Sequence, residues 1–420
     1  MPKINITDKE ARDYHEFPQP GKISVESTKS VETQKDLSLA YTPGVAVPCL
    51  DIQKNPEDAY KYTSKGNLVA VVSNGTAVLG LGNLGALASK PVMEGKGILF
   101  KNFSGIDCFD IELDTESIDR FCSVVSAMAP TFGGINLEDI KSPECFEIER
   151  RLVEELDIPV MHDDQHGTAV ISAAAIINAC KITKKTLEHL KIVIVGAGAA
   201  AISCGRLYHN MGVKNIYMLD SKGVVHRGRS DLNKYKQVFA NHDYKTHSEV
   251  FEGADVVVGL SRPGSFCVED IALMAEDPII FTLANPTPEI FPEDVRKARP
   301  DAIIATGRSD FDNQVNNVLG FPFIFRGALD VRARKINNEM KIAAAKALAQ
   351  LATQEVPEYL NELYGKKIKF GKDYIIPKPF DKRLIVEISA AVAQAAVDSG
   401  SSTMQDFKIK EYKKELATIL

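Results

Sequence analysis

The chain predicts an α/β protein: an N-terminal α/β domain, then a doubly wound, Rossmann-type parallel-sheet domain with C-terminal helices. Three observations carry that prediction. Short β-branched runs alternate with helical stretches along most of the chain. A glycine turn, GAGAAA at Gly196–Ala201, follows the run KIVIV and opens a proline-free stretch. Two acidic pairs, Glu138 with Asp139 and Asp163 with Asp164, each close an apolar run, and a helical stretch lies between them. At 420 residues two domains are expected, divided as 1–162 and 163–420.

The elements follow in order. The first 40 residues are polar and predict one or two short helices, and Tyr41–Pro48 is turn-rich. Leu68–Val72 and the AVLG around Val78 read as strands joined by the turn SNGT. Gly97–Phe100 and Asp107–Leu113 read as two more strands, and Thr115 to Met128 as a helix. GGINL is then a strand running into Glu138, and SPECFEIERRLVEEL a helix with Ser142 as cap and Pro143 at its first position. Ile158–Met161 is the next strand, after which Gly167 opens an apolar helix that crosses into the second domain. Lys191–Val195, Asn215–Asp220, Ala254–Leu260, Pro278–Ala284 and Ala302–Thr306 continue the strand series. Beyond Ala328, KIAAAKALAQLA and RLIVEISAAVAQAAVDSG predict two amphipathic helices that pack back onto the second domain or support a subunit contact.

Composition narrows the function classes. A net charge of −6, with both signs mixed along the chain, offers no electrostatic footprint for nucleic acid or an anionic membrane. No stretch has the character of a membrane span, and the first residues lack the apolar region of a signal peptide. The seven cysteines are widely spaced without a CxxC, which reads as reduced, packed thiols in a cytoplasmic protein.

The chemistry begins with the acidic pairs. Strand, helix, strand is a βαβ unit, so both pairs fall on the carboxyl edge of one sheet, where open α/β folds bind ligands. Four carboxylates this close repel unless a cation sits among them, and hard oxygen ligands favour Mg²⁺ or Mn²⁺. The competing reading is that acids simply terminate strands. His162 and His166 have i, i+4 spacing; with Gly167 as the helix start they read as hydrogen-bonding neighbours of the acids rather than a zinc pair.

Two turns fit G-x-G-x-x-G/A, GLGNLG at Gly80–Gly85 and GAGAAA. After the first, Pro91 and Gly95 interrupt any regular crossover, so it reads as a tight backbone approach near a substrate. The dinucleotide is assigned to Gly196, Ala197, Gly198, Ala199 and Ala200, with Asp220, 22 residues after Gly198, placed for a ribose hydroxyl. That carboxylate would repel a 2′-phosphate, whereas Lys222, Arg227 and Arg229 would offset the repulsion, so NAD and NADP both remain open.

These features together resemble the malic enzyme family over nearly the whole chain. The resemblance rests on YTPGV at Tyr41–Val45, GLGNLG, PVMEGK ending at Lys96, NLEDI around Glu138, HDDQHGTA at His162–Ala169, VGAGAAA, ANPTPE at Ala284–Glu289 and NQVNNVL at Asn313–Leu319. The length resembles the compact bacterial-type branch and leaves no room for a phosphotransacetylase-like extension. The resemblance implies oxidation of (S)-malate and decarboxylation to pyruvate and CO₂. It implies Lys96 as the general base, Tyr41 as the acid that protonates carbon 3, and Glu138, Asp139 and Asp164 as metal ligands. It implies Asp163 as a partner tuning Lys96 or the metal, and contacts from Asn285, Asn317 and the neighbouring Asn316 to substrate or nicotinamide. A homodimer is usual for the compact branch.

Elementary chemistry supports these residue types. Hydride leaves carbon 2 as the hydroxyl proton is removed, which asks for a base near neutral pKa, such as a lysine depressed by burial or a nearby cation. Larger relatives carry an arginine just before GLG that grips the substrate carboxylate; here Ala77 lies in that stretch, and Arg308 in ATGRSD is the substitute offered. Two alternatives share the motifs: a malolactic-type enzyme releasing lactate, and an inactive NAD(P)-sensing regulatory protein.

Overall fold

The computed structural model describes residues 6–404 and 406–419. The first sheet holds β1 (Leu68–Ser73), β2 (Asp107–Glu112), β3 (Gly134–Leu137) and β4 (Val160–His162), all parallel, in the order β2-β1-β3-β4. β1 is buried at every position, as its unbroken apolar run requires of a central strand covered on both faces.

The β1–β2 connection corrects two expectations. Residues 97–100 are not a strand but part of helix α1 (Ala86–Ser104), and the Gly80 turn therefore does lead into a full crossover despite Pro91. Met93, Gly97, Phe100 and Ser104 are buried at helical spacing, and that stripe outweighs the one backbone hydrogen bond Pro91 removes. The freed carbonyl belongs to Leu87, an exposed residue. Val78 forms no strand either; it makes one isolated bridge to Gly82 inside the glycine turn.

Helix α2 (Ile118–Met128) precedes β3, and α3 (Glu144–Glu155) joins β3 to β4. Pro143 stands at the cap position of α3 and no side chain caps it, so Ser142 is not the cap that was expected. Helix α4 (Asp163–Thr183) begins at Asp163, four residues before the expected Gly167. Asp163 and Asp164 thus form its first turn, where the helix dipole favours negative charge. The apolar stretch that follows is buried nearly all round, against α5 (Ala199–Asn210) on one side.

The second sheet runs β10-β9-β8-β5-β6-β7, from β5 (Lys191–Val195), β6 (Asn215–Asp220), β7 (Gly223–Val224), β8 (Val256–Gly259), β9 (Ile279–Thr282) and β10 (Ile303–Thr306). All pairs are parallel except the short β6–β7 ribbon. The helices that follow include α6 (Phe321–Asp330), α7 (Asn338–Ala352) and α8 (Arg383–Asp398). α7 packs on α4, and α8 packs on α6 and α7. α6 returns to the first sheet's side of the molecule. Phe321 and Phe325 meet Phe100 of α1 edge-on, at 4.7 and 5.4 Å between ring centroids. One apolar core consequently runs through both halves of the chain. Among the described residues no helix is long and apolar enough to cross a membrane.

Candidate active site

The site is built where α1, the ends of β3 and β4, and the first turn of α4 meet. Lys96 projects from α1 and its Nζ lies 2.8 Å from Glu138 Oε1 and 2.7 Å from Asp163 Oδ2. The ammonium also sits 4.3 Å from the ring centroid of Phe321. Asn136, two residues before Glu138 on β3, donates its amide to Glu138 Oε2 at 2.9 Å. Asp139 takes the left-handed conformation, φ +53°, which aspartate tolerates better than most residues. Its backbone N–H thereby donates to Asp164 Oδ2 at 2.8 Å.

Carboxylate oxygens of Glu138, Asp139 and Asp164 lie within 4.8 Å of one another. Asp139 Oδ2 and Asp163 Oδ1 are buried and accept no hydrogen bond. Such oxygens are costly unless a proton or a cation meets them. Burial, and after it the Asp164 charge, raise the Asp139 pKa to about 7. Burial raises Glu138 well above the ordinary range even though Lys96 opposes it, and Asp163 is likewise raised. An all-oxygen donor set with orphaned buried acceptors fits a hard divalent cation, and Glu138, Asp139 and Asp164 are the residues that would hold it.

Lys96 corrects one expectation. Burial lowers its pKa, but Asp163 and Glu138 more than offset that, and the net shift is upward. A base depressed by its surroundings is not what these carboxylates produce by themselves; positive charge among them is needed first.

The second half of the chain reaches into this cluster through Asn317. Its Nδ2 lies 3.2 Å from Asp163 Oδ2, and its Oδ1 accepts from Thr168 at 3.0 Å. Gly167 makes room for that contact: a Cβ there would meet Asp163 Oδ1 at 2.2 Å and Asn317 Cγ at 2.9 Å. Asn316 does not join; its side chain caps the next turn by accepting from Val318 N–H at 3.0 Å. Asn285 is exposed at the carboxyl end of β9, and Gly80 presses against it, with a Cβ on Gly80 falling 2.4 Å from the Asn285 carbonyl. The first glycine turn is thus a close backbone approach between the two halves. Arg308 lies beside the same loop, but Asp310 takes it through two bonds and the Pro286 carbonyl through a third. Tyr41 is not brought to the cluster. It ends the short helix Gln34–Ala40, is 71% exposed, and its side chain has no partner among the described residues.

Several participants went unread in the sequence. Asn136 was legible in principle, because period-two spacing puts it on the face of Glu138. Glu149, which accepts the His162 backbone N–H at 2.9 Å and pairs with His166 at 2.9 Å, had no local signal. His166 therefore bonds Glu149 rather than the acidic pair, while His162 Nε2 lies 3.8 Å from Asp164.

In the second sheet Gly196 has φ +132°, and a Cβ there would strike the Leu260 carbonyl at 2.4 Å. Gly198 caps α5, and Ala199 and Ala200 form its first turn. At the end of β6, Asp220 is engaged on both oxygens: by Arg229 at 2.8 and 3.1 Å, by Lys236 at 2.6 Å, and by the Lys222 N–H at 2.9 Å. Burial would raise its pKa, but Arg229 and Lys236 hold it down at about 2.

A lysine–carboxylate cluster at one parallel sheet, beside a second sheet opened by a glycine turn, defines an α/β protein of the dinucleotide-binding class. Residues 20–153 match the malic enzyme N-terminal domain and residues 165–366 the malic enzyme NAD-binding domain. The chain belongs to the malic enzyme family. It is 60% identical over 394 residues to the NADP-dependent malic enzyme of Halomonas elongata, covering 93% of each chain. It is 58% identical to a probable NADP-dependent malic enzyme of Rickettsia prowazekii and 56% identical to an NAD-dependent malic enzyme of Rhizobium meliloti. The chain spans about half the length of those last two, 55% and 54%. The crystal structure of malic enzyme from Pyrococcus horikoshii superposes with a TM-score of 0.89 at 42% identity, over 98% of this chain and 95% of that one.

Proposed function

We propose that the chain oxidises (S)-malate and decarboxylates the product to pyruvate and CO₂, with reduction of NADP in preference to NAD. The observation that carries the reading is the meeting of Lys96, Glu138, Asp139, Asp163 and Asp164 in one buried cluster that Asn317 reaches from the other half of the chain. The proposed domain division falls between 162 and 163, at the junction of β4 and α4.

When bound, a divalent cation would polarise the substrate oxygen on carbon 2, and the nicotinamide would accept the hydride. Lys96 is the group proposed to take the hydroxyl proton, once the charge of its carboxylate neighbours is neutralised. Asp163 holds Lys96 in place, and Asn317 orients Asp163. Asn285, with Gly80 closing on it, is proposed to contact substrate or nicotinamide. Asn316, already committed as a cap, retains only a neighbouring role. Tyr41 is proposed to return a proton to carbon 3. Its exposure, with Leu39, Val47 and Leu50 also exposed nearby, supports a homodimer, in keeping with the cytoplasmic assignment.

The cofactor preference rests on Asp220. A carboxylate whose oxygens are both taken by cations and an N–H has little left for ribose hydroxyls, whereas Arg229, Lys222 and Lys236 beside it suit a 2′-phosphate. Steady-state assay with malate, Mn²⁺ and each dinucleotide tests the whole reading. Reduced cofactor and pyruvate should appear together, faster with NADP. Accumulating oxaloacetate, or lactate in place of pyruvate, contradicts it.

A further inference from the structure

The carboxyl edge of the second sheet holds a buried acid that the lysine–carboxylate cluster does not use. Glu289 is 3% exposed. Its Oε1 accepts from the Ser261 N–H at 3.0 Å, just past the end of β8, and its Oε2 from the Ala284 N–H at 3.2 Å, just past the end of β9. Gly259, the last residue of β8, leaves room for it: a Cβ there would meet the Glu289 carboxyl carbon at 2.5 Å. Among the described residues no lysine, arginine or histidine pairs with this carboxylate, and only backbone N–H groups oppose the cost of burying it.

Holding the loops does not explain the charge. The Glu289 carbonyl already ties the loop after β8 by accepting from the Gly264 N–H at 2.8 Å. Neutral acceptors would serve the Ser261 and Ala284 donors at a lower desolvation cost. A buried charge without a counter-ion is accounted for when a cation arrives with the ligand. Its place on the sheet says which cation. Gly196 follows β5 and packs against the Leu260 carbonyl beyond β8, so the glycine turn lies where the strand order reverses. Asp220 ends β6 on the adenosine side of that turn, and the nicotinamide half then belongs on the other side, toward β8 and β9. The oxidised nicotinamide ring is a pyridinium cation, whereas the reduced ring is neutral.

We infer that Glu289 is a specificity residue for the redox state of the dinucleotide: its buried charge makes the cleft favour the oxidised, cationic ring over the reduced, neutral one. Glu289 transfers no proton and no hydride. It acts through the field of a charge held in a dry strand fork, where screening is weak. The inference rests on the assignment of the dinucleotide to the Gly196 turn, and its readout is binding rather than turnover.

The test is titration of the full chain, without malate or metal, with NADP by calorimetry and with NADPH by fluorescence. In Glu289→Gln the affinity for NADP should fall roughly tenfold while that for NADPH stays within about twofold of wild type. Glu289→Asp is shorter but still charged; it should weaken both forms alike, so that the ratio of the two affinities stays within about threefold of wild type. Equal weakening of both forms in Glu289→Gln, or no weakening of either, would overturn the inference and leave the dinucleotide assignment standing. A roughly tenfold change of the ratio in Glu289→Asp would overturn it as well, and that arm stands whether or not Glu289→Gln folds. If wild type bound neither form, the dinucleotide assignment would fall together with it.

Discussion

Two groups of acids in this molecule carry opposite charge balances. Around Lys96, the four carboxylates of Glu138, Asp139, Asp163 and Asp164 share a single ammonium. Around Asp220, the carboxylates of Asp220 and Asp231 share Arg229, Lys236 and Lys222. Burial, joined by the Asp164 charge, pushes Asp139 up to about 7, whereas at Asp220 the bonds from Arg229 and Lys236 overcome burial and pull it down to about 2. A buried carboxylate therefore has no fixed meaning. A group short of positive charge suits a cation, and a group oversupplied with it suits an anion such as a 2′-phosphate.

The harshest way to break this contrast is to remove charge from the undersupplied group. Asp164→Asn deletes a proposed metal ligand, and loss of several kcal/mol of transition-state stabilisation should lower kcat by roughly 10³-fold or more. Dinucleotide binding, followed by fluorescence, should survive. Full turnover of the wild type in excess chelator would remove the metal from the account. Lys96→Ala comes next, at roughly 10²-fold or more in hydride transfer, the usual contribution of a general base. Decarboxylation of added oxaloacetate should suffer much less; equal slowing of both steps would deny Lys96 that role.

The raised carboxyl gives a milder, pH-dependent test. Asp139 titrates at about 7 in the folded chain and at its ordinary 3.8 when unfolded. The folded form thus binds the extra proton, and metal-free stability from this group is full below pH ~4 and lost as pH rises to about 7. In chelator, Tm of wild type should decline across that window relative to Asp139→Asn, and Mn²⁺ should reverse the decline. The same proton competes with metal, so Mn²⁺ affinity should fall by up to ~10-fold per pH unit below about 7. A flat affinity profile from pH 5 to 7 would show that Asp139 is already ionised.

Much of this contrast was legible in the chain, and the losses have physical causes. The βαβ unit, the second glycine turn and the strand series were readable because period and turn chemistry are local. The helix α1 was misread because LF next to a β-branched residue looks like a strand; only the buried stripe Met93, Gly97, Phe100, Ser104 reveals the helix, and burial is not local. The start of α4 was placed late because Gly167 looks like a boundary, whereas its real task is to leave space for Asp163 and Asn317. Lys236 and Glu149 escaped notice because their partners, Asp220 and His166, lie 16 and 17 residues away in sequence. Charge balance is a property of the folded site, and no single motif records it.

The gentlest perturbation tests the oversupplied group. Arg229→Ala removes the bidentate partner of Asp220 and one of the cations proposed for the 2′-phosphate. A hydrogen bond to a charged group contributes ~1.5–3 kcal/mol, so kcat/KM with NADP should fall roughly 10- to 100-fold. With NAD the effect should be small or reversed, because Asp220 Oδ1 loses its Arg229 donor and keeps only the Lys222 N–H, which leaves it able to accept from the ribose. Lys236 still holds Oδ2 in this variant, so the switch to NAD should be incomplete. Equal losses with both dinucleotides would mean that Arg229 merely props the β6–β7 ribbon, and the charge excess at Asp220 would then say nothing about the cofactor.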